Sequence, residues 1–578
     1  MLYRSRLRHW ILKYPDGTLF ISVLPIALIM LGCWVFLRRF IMLDPDWHHD
    51  GILLKPALDV AKGNALFRDV FSQYGLLTTW LHALAIKASE PTLSSLRLFH
   101  GFIFSACGLA IYLLSRLLMP VPVAVGVVLF WLFLSPYPMM SFFLNSSSIA
   151  LIFLLLGTLS LAYSELKLPQ LTPAALVLAF LSGLFFSLAF WARQPVGITL
   201  ASTGLAPLTL LILCRYREQR TYRIYQTFSY AAGGALGLLS GLLILTVTSS
   251  VEDWWTQSII AARKFAELSP NGLTLDNVLY RLFPQPHHVH GSIPSNLWRW
   301  LPISVIAVLT GLVFRGVFKS EIRAKPRLLI VVSFVSIGSW IQYFPIPDIA
   351  HVFWAATPML PLAAASIYLI FTKLKIKRHI NILLTTTILA TLLFPNMQPR
   401  WTAWNSIGQT DHLPLEILGG MRGSTEFFKK IKWRGTKESY LAQLDDLDQF
   451  IDAFQDIFPD KHLLTFTEDA FTPSVIPKNG PHPIFLWWPW LISLYPDHSE
   501  TVGQFIHEKK PLIEIKVNQP GGWSWLEPMS EHRTRYKFSQ YRPILYFTLG
   551  DHGQRAILAD PTTIAELRGA NIKVLNID

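Results

Sequence analysis

The side chains best suited to chemistry lie in one short stretch, Asp44-Pro45-Asp46-Trp47-His48-His49-Asp50-Gly51. Carboxylates and imidazoles placed so closely could accept a proton from a hydroxyl group or orient a substrate. A solvated loop would also hold these residues at little cost. Composition alone therefore leaves two interpretations open, an exposed loop and an active site, and the elements around the stretch bear on the choice.

Those elements belong to a membrane protein. Of 578 residues, 52% are hydrophobic and 15% are charged, where soluble domains average about 25% charged. Apolar runs long enough to cross a bilayer as a helix, which takes about 20 residues, number about eleven before residue 395. We place them at 19–37, 98–118, 121–140, 143–163, 174–192, 196–214, 226–248, 300–318, 328–344, 352–371 and 379–395. The predicted fold class is an α-helical polytopic membrane protein with a C-terminal soluble α/β domain.

The distribution of Lys and Arg predicts the orientation of the spans. Short loops rich in these residues face the cytoplasm, which places the N-terminus and the loops near 215–223, 315–327 and 373–378 inside. The loops 38–97 and 249–299 and the C-terminal part then lie outside. The same basic loops explain much of the net charge of +13, so no nucleic acid is needed as a partner. The shorter run 76–88 predicts an interfacial helix.

The chain divides into two predicted domains. Residues 1–395 form the membrane module, and residues 396–578 form an extracytoplasmic α/β domain in which charges are frequent. Alternating and β-branched segments predict strands at His462–Phe466, Leu512–Val517, Ile544–Leu549 and Lys573–Ile577. Helices are expected at Gly423–Lys430 and Leu441–Phe458.

The first outer loop resembles that of the GT-C class, the large membrane glycosyltransferases that use lipid-linked sugar donors. In that class, acidic residues follow the first span and two membrane-parallel helices come next. The matching residues here are Asp46-x-x-x-Asp50, then Pro56-Ala57, Gly63, Phe67-Arg68-Asp69 and Tyr74-Gly75-Leu76. Leu76 departs from the pattern, since a proline is common there. The resemblance covers residues 1–395.

The resemblance implies an inverting transfer from a polyprenyl-phosphate sugar to a glycan, lipid or protein acceptor. Asp50 is the first candidate for the base that accepts the proton of the acceptor hydroxyl, and Asp46 is the second. His49 would orient the acceptor or the phosphate. Asp69 and Tyr74 would shape the loop or contact sugar hydroxyls.

Two further outer segments support the same interpretation. Phe190–Pro195 ends the fifth span and contains Arg193, whose guanidinium could bind phosphate oxygens in pairs. Gln342–His351 contains Asp348 and His351, and it resembles the Phe-Pro…Asp-x-x-His segment of relatives in this class. His351 could donate a further hydrogen bond. Arg193 could also be an interfacial anchor, and Asp348 a helix cap.

No cofactor is required by this chemistry, although a divalent metal is compatible with it. The cluster His287-His288-Val289-His290 invites a metal interpretation, but no carboxylate or cysteine lies beside it, so we expect an irregular loop and predict no metal ligands. The localisation that the resemblance implies is a bacterial inner or plasma membrane, with a role in glycan biosynthesis for the cell envelope.

Three other functions stay open at this stage. A polysaccharide polymerase or ligase would use arginines of a late outer loop, and 249–299 contains Arg263, Arg281 and Arg299. A transporter or flippase of lipid-linked glycans would need ionisable groups buried at mid-bilayer or broken helices. A non-catalytic scaffold for the outer domain would leave the acidic stretch without a purpose.

Overall fold

The structure is a computed structural model. It describes residues 19–41, 49–89, 93–135, 144–168, 172–214, 217–268, 295–318, 324–340, 349–392, 462–466, 499–516, 538–548 and 554–569.

The first part of the chain is helical. Its elements are α1 Leu19–Ile41, α2 His49–Ala61, α3 Leu76–Ala88, α4 Leu93–Leu118, α5 Val121–Leu134, α6 Ser146–Lys167, α7 Pro173–Ala192, a 3-10 turn Gln194–Val196, α8 Gly197–Ile212, α9 Arg217–Thr248, α10 Val251–Trp254, a π-helical segment Trp255–Ile260, α11 Ala261–Leu268, α12 Ser295–Phe318, α13 Ala324–Trp340, α14 Ile349–Ala356, α15 Met359–Lys373 and α16 378–392.

The helices fit an integral membrane protein. Among the described residues, five helices are long and apolar enough to cross a bilayer, and several shorter ones are strongly apolar. Within the described residues each apolar run of the sequence is mostly helical, and two further helices, α2 and α3, lie between α1 and α4. The number of spans and their orientation stay predictions.

One of the predicted spans is not a continuous helix. The run 352–371 is divided between α14 and α15, with a turn at Thr357 and Pro358. Proline lacks an N–H group and its ring crowds the carbonyl of the preceding turn, so it ends a helix that hydropathy alone would continue. Thr357 is buried at the break, where its hydroxyl donates to Phe353 O and accepts a hydrogen bond from Trp131 Nε1.

Helices α7 and α9 pack with their backbones almost in contact. A Cβ at Gly183 would lie 2.0 Å from Tyr230 O, and one at Gly233 would lie 1.9 Å from Phe180 O. The hydroxyl of Ser187 donates across the same interface to a backbone carbonyl. Small residues at such contacts let membrane helices approach closely.

A buried cluster of charges joins three helices at their ends. Glu165 of α6 forms two hydrogen bonds with Arg223 of α9, at 3.1 and 3.2 Å, and an ion pair with Arg327 of α13 at 3.5 Å. Gln226 Nε2 donates to the same carboxylate at 2.8 Å. Since all four side chains are buried, one carboxylate compensates two guanidinium groups.

The described C-terminal part contains a four-stranded sheet. Its elements are β1 Leu463–Phe466, α17 Ser499–Lys509, β2 Leu512–Lys516, β3 Arg542–Thr548, β4 Gln554–Ala559 and α18 Pro561–Gly569. The order is β1-β2-β4-β3, with β1 parallel to β2 and the other neighbours antiparallel.

Three of the four predicted strands are confirmed as β1, β2 and β3. The prediction missed β4, which lies between β2 and β3 in the sheet. The predicted strand Lys573–Ile577 and the predicted helices Gly423–Lys430 and Leu441–Phe458 lie outside the described residues, as does any boundary near residue 395. The division into two domains stays a prediction.

Candidate active site in the first outer loop

The carboxylate of Asp50 lies buried in the first turn of α2. His49 begins this helix and Asp50 follows, so the partial positive charge of the helix N-terminus favours a carboxylate there. Asp50 Oδ2 accepts a hydrogen bond of 2.6 Å from Arg97 Nη2, and both side chains are at most 1% exposed. This ion pair joins the first outer loop to α4. Asp46 lies outside the described residues.

A second buried ion pair lies further along α2. Lys55 Nζ is 2.6 Å from both carboxylate oxygens of Asp59, and the two side chains are 2% and 1% exposed. Burial lowers the pKa of Lys55, while Asp59 acts in the opposite direction. Burial likewise raises the pKa of Asp59, against the effect of Lys55.

We expect Asp59→Asn to make the stability of the protein rise more steeply with pH in the alkaline range than that of the parent does. The variant removes the partner that raises the pKa of Lys55 and leaves a buried cation, at a cost of roughly 3–5 kcal/mol. A lysine whose pKa is lower in the folded state binds fewer protons there, so stability rises with pH between that lowered pKa and the ordinary value of 10.5. Thermal unfolding in detergent at neutral pH and near pH 9.5 measures the effect.

Asp69→Asn is the control. Its partner Arg68 lowers the pKa of this partly exposed carboxyl, so its contribution is present above the ordinary pKa and is lost only as the pH falls through the lowered value. Its stability should therefore change between neutral and alkaline pH only as that of the parent does. A profile for Asp59→Asn equal to that of the parent would show that the pKa of Lys55 does not depend on Asp59.

The turn after α2 has an unusual backbone. Gly63 has a φ of 103°, which favours glycine, and the buried Phe67 has a φ of 67°, which is strained for a bulky residue. The carboxylate of Asp69 accepts a hydrogen bond from Ala65 N at 2.9 Å and pairs with Arg68. Asp69 therefore shapes the turn. Strained residues that their surroundings hold in place cluster at functional sites.

The start of α3 rests on the end of α7, next to Arg193. A Cβ at Gly75 would lie 2.1 Å from Trp191 O and 2.6 Å from Ala192 O, so only glycine fits without a shift. One turn later, Thr78 Oγ1 donates to Ala192 O at 2.8 Å. Arg193 directly follows this contact and ends α7. The structure thus places Arg193 beside the first outer loop.

The segment after α9 holds the same turn in place. Gln257, in the π-helical segment, donates to Phe67 O at 2.8 Å and accepts from Ser72 N at 3.1 Å. The hydroxyl of Ser72 contacts the backbone of Tyr74, which is half-buried. Segments of π-helix occur often at functional sites. The loop 249–299 and the first outer loop are therefore in direct contact.

The predicted site residues fall into two groups. Asp50, Asp69, Tyr74 and Arg193 belong to a connected unit formed by α2, α3, α4 and the end of α7. His351 is half-buried on α14, which packs on α6, α12 and α13. Asp348 lies outside the described residues, as do His287, His288 and His290.

Sequence reasoning missed Arg97 and Lys55. Arg97 is an isolated cation in the apolar stretch Leu93-Ser-Ser-Leu-Arg-Leu-Phe, and a charged residue inside a membrane helix is a functional candidate by default. The predicted span 98–118 begins one residue after Arg97 and so leaves it out. Lys55 lies four residues before Asp59, which is the spacing of an ion pair on one face of a helix.

Whether the candidate site could bind a metal ion depends in part on residues outside this unit. Among the described residues, no group of three or more His, Cys, Asp or Glu side chains could hold a metal ion. Asp46 and Asp348, the other acidic candidates, are not among them.

No protein-family model matches the sequence, and no curated protein matches it. Similar solved structures are those of the archaeal oligosaccharyltransferase AglB from Archaeoglobus fulgidus, a membrane glycosyltransferase of the GT-C class. The structure with zinc and sulfate has 13% identity and a TM-score of 0.48, over 91% of this chain and 72% of that one. The complex with an inhibitory peptide and a dolichol-phosphate has 10% identity and a TM-score of 0.47, over 86% and 70%. TM-scores below 0.5 carry no assignment of function, so the proposed function rests on the residues of this chain.

Proposed function

We propose that the protein is a membrane glycosyltransferase that moves a sugar from a polyprenyl-phosphate donor to a glycan, lipid or protein acceptor, with inversion at the anomeric carbon. One observation carries the proposal. A carboxylate at the start of α2 is oriented by a buried arginine, and α3 of the same loop is docked beside Arg193. The proposed proton acceptor and the proposed phosphate-binding cation thus belong to one unit, which supports the proposal.

The proposed reaction needs one proton transfer and one charged leaving group. The acceptor hydroxyl attacks the anomeric carbon, the bond to the phosphate oxygen breaks, and a carboxylate accepts the hydroxyl proton. Asp50 is the first candidate for this carboxylate and Asp46 the second. Arg193 binds the departing phosphate through paired hydrogen bonds. His49 and His351 are proposed to contact the acceptor or the phosphate.

The positions of buried charges weigh against a transporter. Among the described residues of the helical part, buried charged side chains lie near helix ends or in α2. Arg97 is in the first turns of α4, Glu165 in the last turn of α6, and Arg223 and Arg327 in the first two turns of α9 and α13. A carrier of charged substrates needs such groups near mid-bilayer or broken helices. The buried charges weigh against the first feature, whereas the break between α14 and α15 is compatible with the second.

Arg193 supplies the test of the donor class. We expect Arg193→Ala to weaken binding of a polyprenyl-phosphate sugar about 10–100-fold, because a charge-assisted hydrogen bond contributes about 1.5–3 kcal/mol. Arg193→Lys should lose less, since lysine keeps the charge and lacks only the planar fork. Binding and transfer are measured with purified protein, a panel of polyprenyl-phosphate sugars, and glycan, lipid and peptide acceptors, with and without a chelator.

Arg263→Ala is the matched control, because Arg263 is an exposed arginine of the outer loop 249–299. It should bind and transfer like the parent. Loss of activity in Arg263→Ala with an unchanged Arg193→Ala would favour the polymerase or ligase. If no donor of the panel is used by the parent protein, the glycosyltransferase proposal fails.

A further inference from the structure

Two buried histidines form a hydrogen-bonded chain that the proposed reaction does not use. His82 Nε2 of α3 lies 2.7 Å from His100 Nε2 of α4. His100 Nδ1 lies 3.0 Å from Ser148 Oγ of α6, and that hydroxyl donates to Asn145 O at 2.8 Å. Both imidazoles are at most 1% exposed.

The last hydrogen bond of this series, from Ser148 to Asn145 O, determines which ring nitrogen of each histidine carries a hydrogen. Because Ser148 donates its only hydroxyl hydrogen to Asn145 O, Ser148 Oγ accepts from His100 Nδ1–H. In a neutral imidazole the other nitrogen is an acceptor, so His100 Nε2 accepts from His82 Nε2–H. Burial lowers the pKa of His82 to about 3, so it is neutral at physiological pH. The link between α3 and α4 is therefore a directional hydrogen bond between neutral rings.

These hydrogen bonds lie between the two parts of the candidate site, Asp50 on one side and Arg193 on the other. On α4, Arg97 precedes His100 by one turn and holds Asp50. On α3, Thr78 precedes His82 by one turn and holds Ala192 O, beside Arg193. Residues three or four apart lie on the same face of a helix. One polar face of each helix thus makes both the contact with a site residue and the contact with the other helix.

We propose that His82 and His100 are positioning residues that set the separation between Asp50 and Arg193. This inference rests on the proposed function, in which these two residues serve the acceptor and the phosphate. Without the histidine link, α3 keeps its contact with α7, and α4 keeps its contact with Asp50, but the register between the two helices is released. A misplacement of about 1 Å between reacting groups can lower a rate about 10²-fold.

The amides of glutamine and asparagine provide a matched pair of variants at position 82. The side-chain nitrogen of glutamine reaches the place of a histidine Nε2, so His82→Gln keeps the donor to His100. Asparagine reaches only the place of Nδ1, so His82→Asn loses it. We expect His82→Gln to retain kcat within about threefold and His82→Asn to lower kcat about 10–100-fold. Donor affinity should be unchanged in both, because Arg193 itself is intact.

A distance measurement tests the link independently of catalysis. Spin labels are placed at Lys62, exposed after α2, and at Ile198, exposed on α8. A Cys214→Ser background prevents labelling there, and the other cysteines, Cys33 and Cys107, are buried. The distribution of label distances should broaden or shift in His82→Asn and match the parent in His82→Gln. His507→Asn, which changes an exposed histidine of α17, is the control and should change neither distance nor kcat.

The two measurements separate the inference from the proposed function. Equal kcat and equal distance distributions in His82→Gln and His82→Asn would overturn the positioning role. A fall in donor affinity equal to the fall in kcat would also overturn it, since it would indicate general loss of structure. If the parent transfers no sugar, the proposed function fails, and the distance distributions alone decide whether the histidines hold the two helices in register.

Discussion

Asp50→Asn is expected to lower the rate of sugar transfer at least about 10²-fold, because a positioned general base contributes about 10²–10⁴-fold. Asparagine keeps the shape of the side chain and can still accept a hydrogen bond from Arg97, but it cannot take the proton of the acceptor hydroxyl. The measurement is kcat with a saturating polyprenyl-phosphate donor and varied acceptor.

The ion pair with Arg97 adds a second expected effect to the same variant. Asparagine removes the charge of Asp50 while the guanidinium of Arg97 stays buried, and breaking a buried ion pair typically costs about 3–5 kcal/mol. A lower melting temperature would then accompany the loss of activity. The double variant Asp50→Asn/Arg97→Gln removes both charges, so it should recover most of the stability and none of the transfer activity.

Two single variants complete this experiment. Glu252→Gln neutralises an exposed carboxylate of the outer segment and should leave both activity and melting temperature unchanged. Asp46→Asn distinguishes the two candidate bases. Full activity in Asp46→Asn with none in the double variant assigns the proton transfer to Asp50, whereas a double variant that is both stable and active would remove Asp50 from the reaction.

Glu165→Gln is expected to be the most destabilising single change in the helical part. The carboxylate is 1% exposed and is shared by Arg223 and Arg327, so its removal leaves two buried cations. Breaking one buried pair typically costs about 3–5 kcal/mol, and here a single substitution affects two. Thermal unfolding and monodispersity in detergent measure the loss.

The distances within the cluster also predict which of its two arginines contributes more to stability. Arg327→Gln should cost less than Arg223→Gln, because Arg223 makes the paired hydrogen bonds and Arg327 lies farther away, at 3.5 Å. Glu267→Gln is the control, since its pair with Arg263 is exposed and such pairs contribute little. Equal melting temperatures for Glu165→Gln and Glu267→Gln would contradict this account of the cluster.

Hydropathy predicts spans because lipid forces a backbone to satisfy its own hydrogen bonds within apolar sequence. It locates α4 to within a few residues, but it contains no information on which side chains meet across helices. Asp50 and Arg97 are 47 residues apart, and no local pattern links them. For the same reason, the sequence did not predict the contact between His82 and His100.

Strand β4 shows a similar limit of sequence-based prediction in the C-terminal part. Its sequence, Gln-Arg-Ala-Ile-Leu-Ala, contains one β-branched residue and two alanines, which makes it a weak strand by propensity. It forms because β2 and β3 both pair with it, and such tertiary pairing is not visible in a short window. The resemblance of the first outer loop, in contrast, correctly implied two helices after the first span.

The contact of Gln257 with Phe67 has a consequence for biosynthesis. The two residues are 190 positions apart, and ribosomes add about 5–20 residues per second. About 10–40 s therefore pass between the synthesis of the first outer loop and that of Gln257, which holds its strained turn. During that interval the first outer loop has been synthesised without this support. A chain truncated before Gln257 would therefore lack the residue that holds the turn.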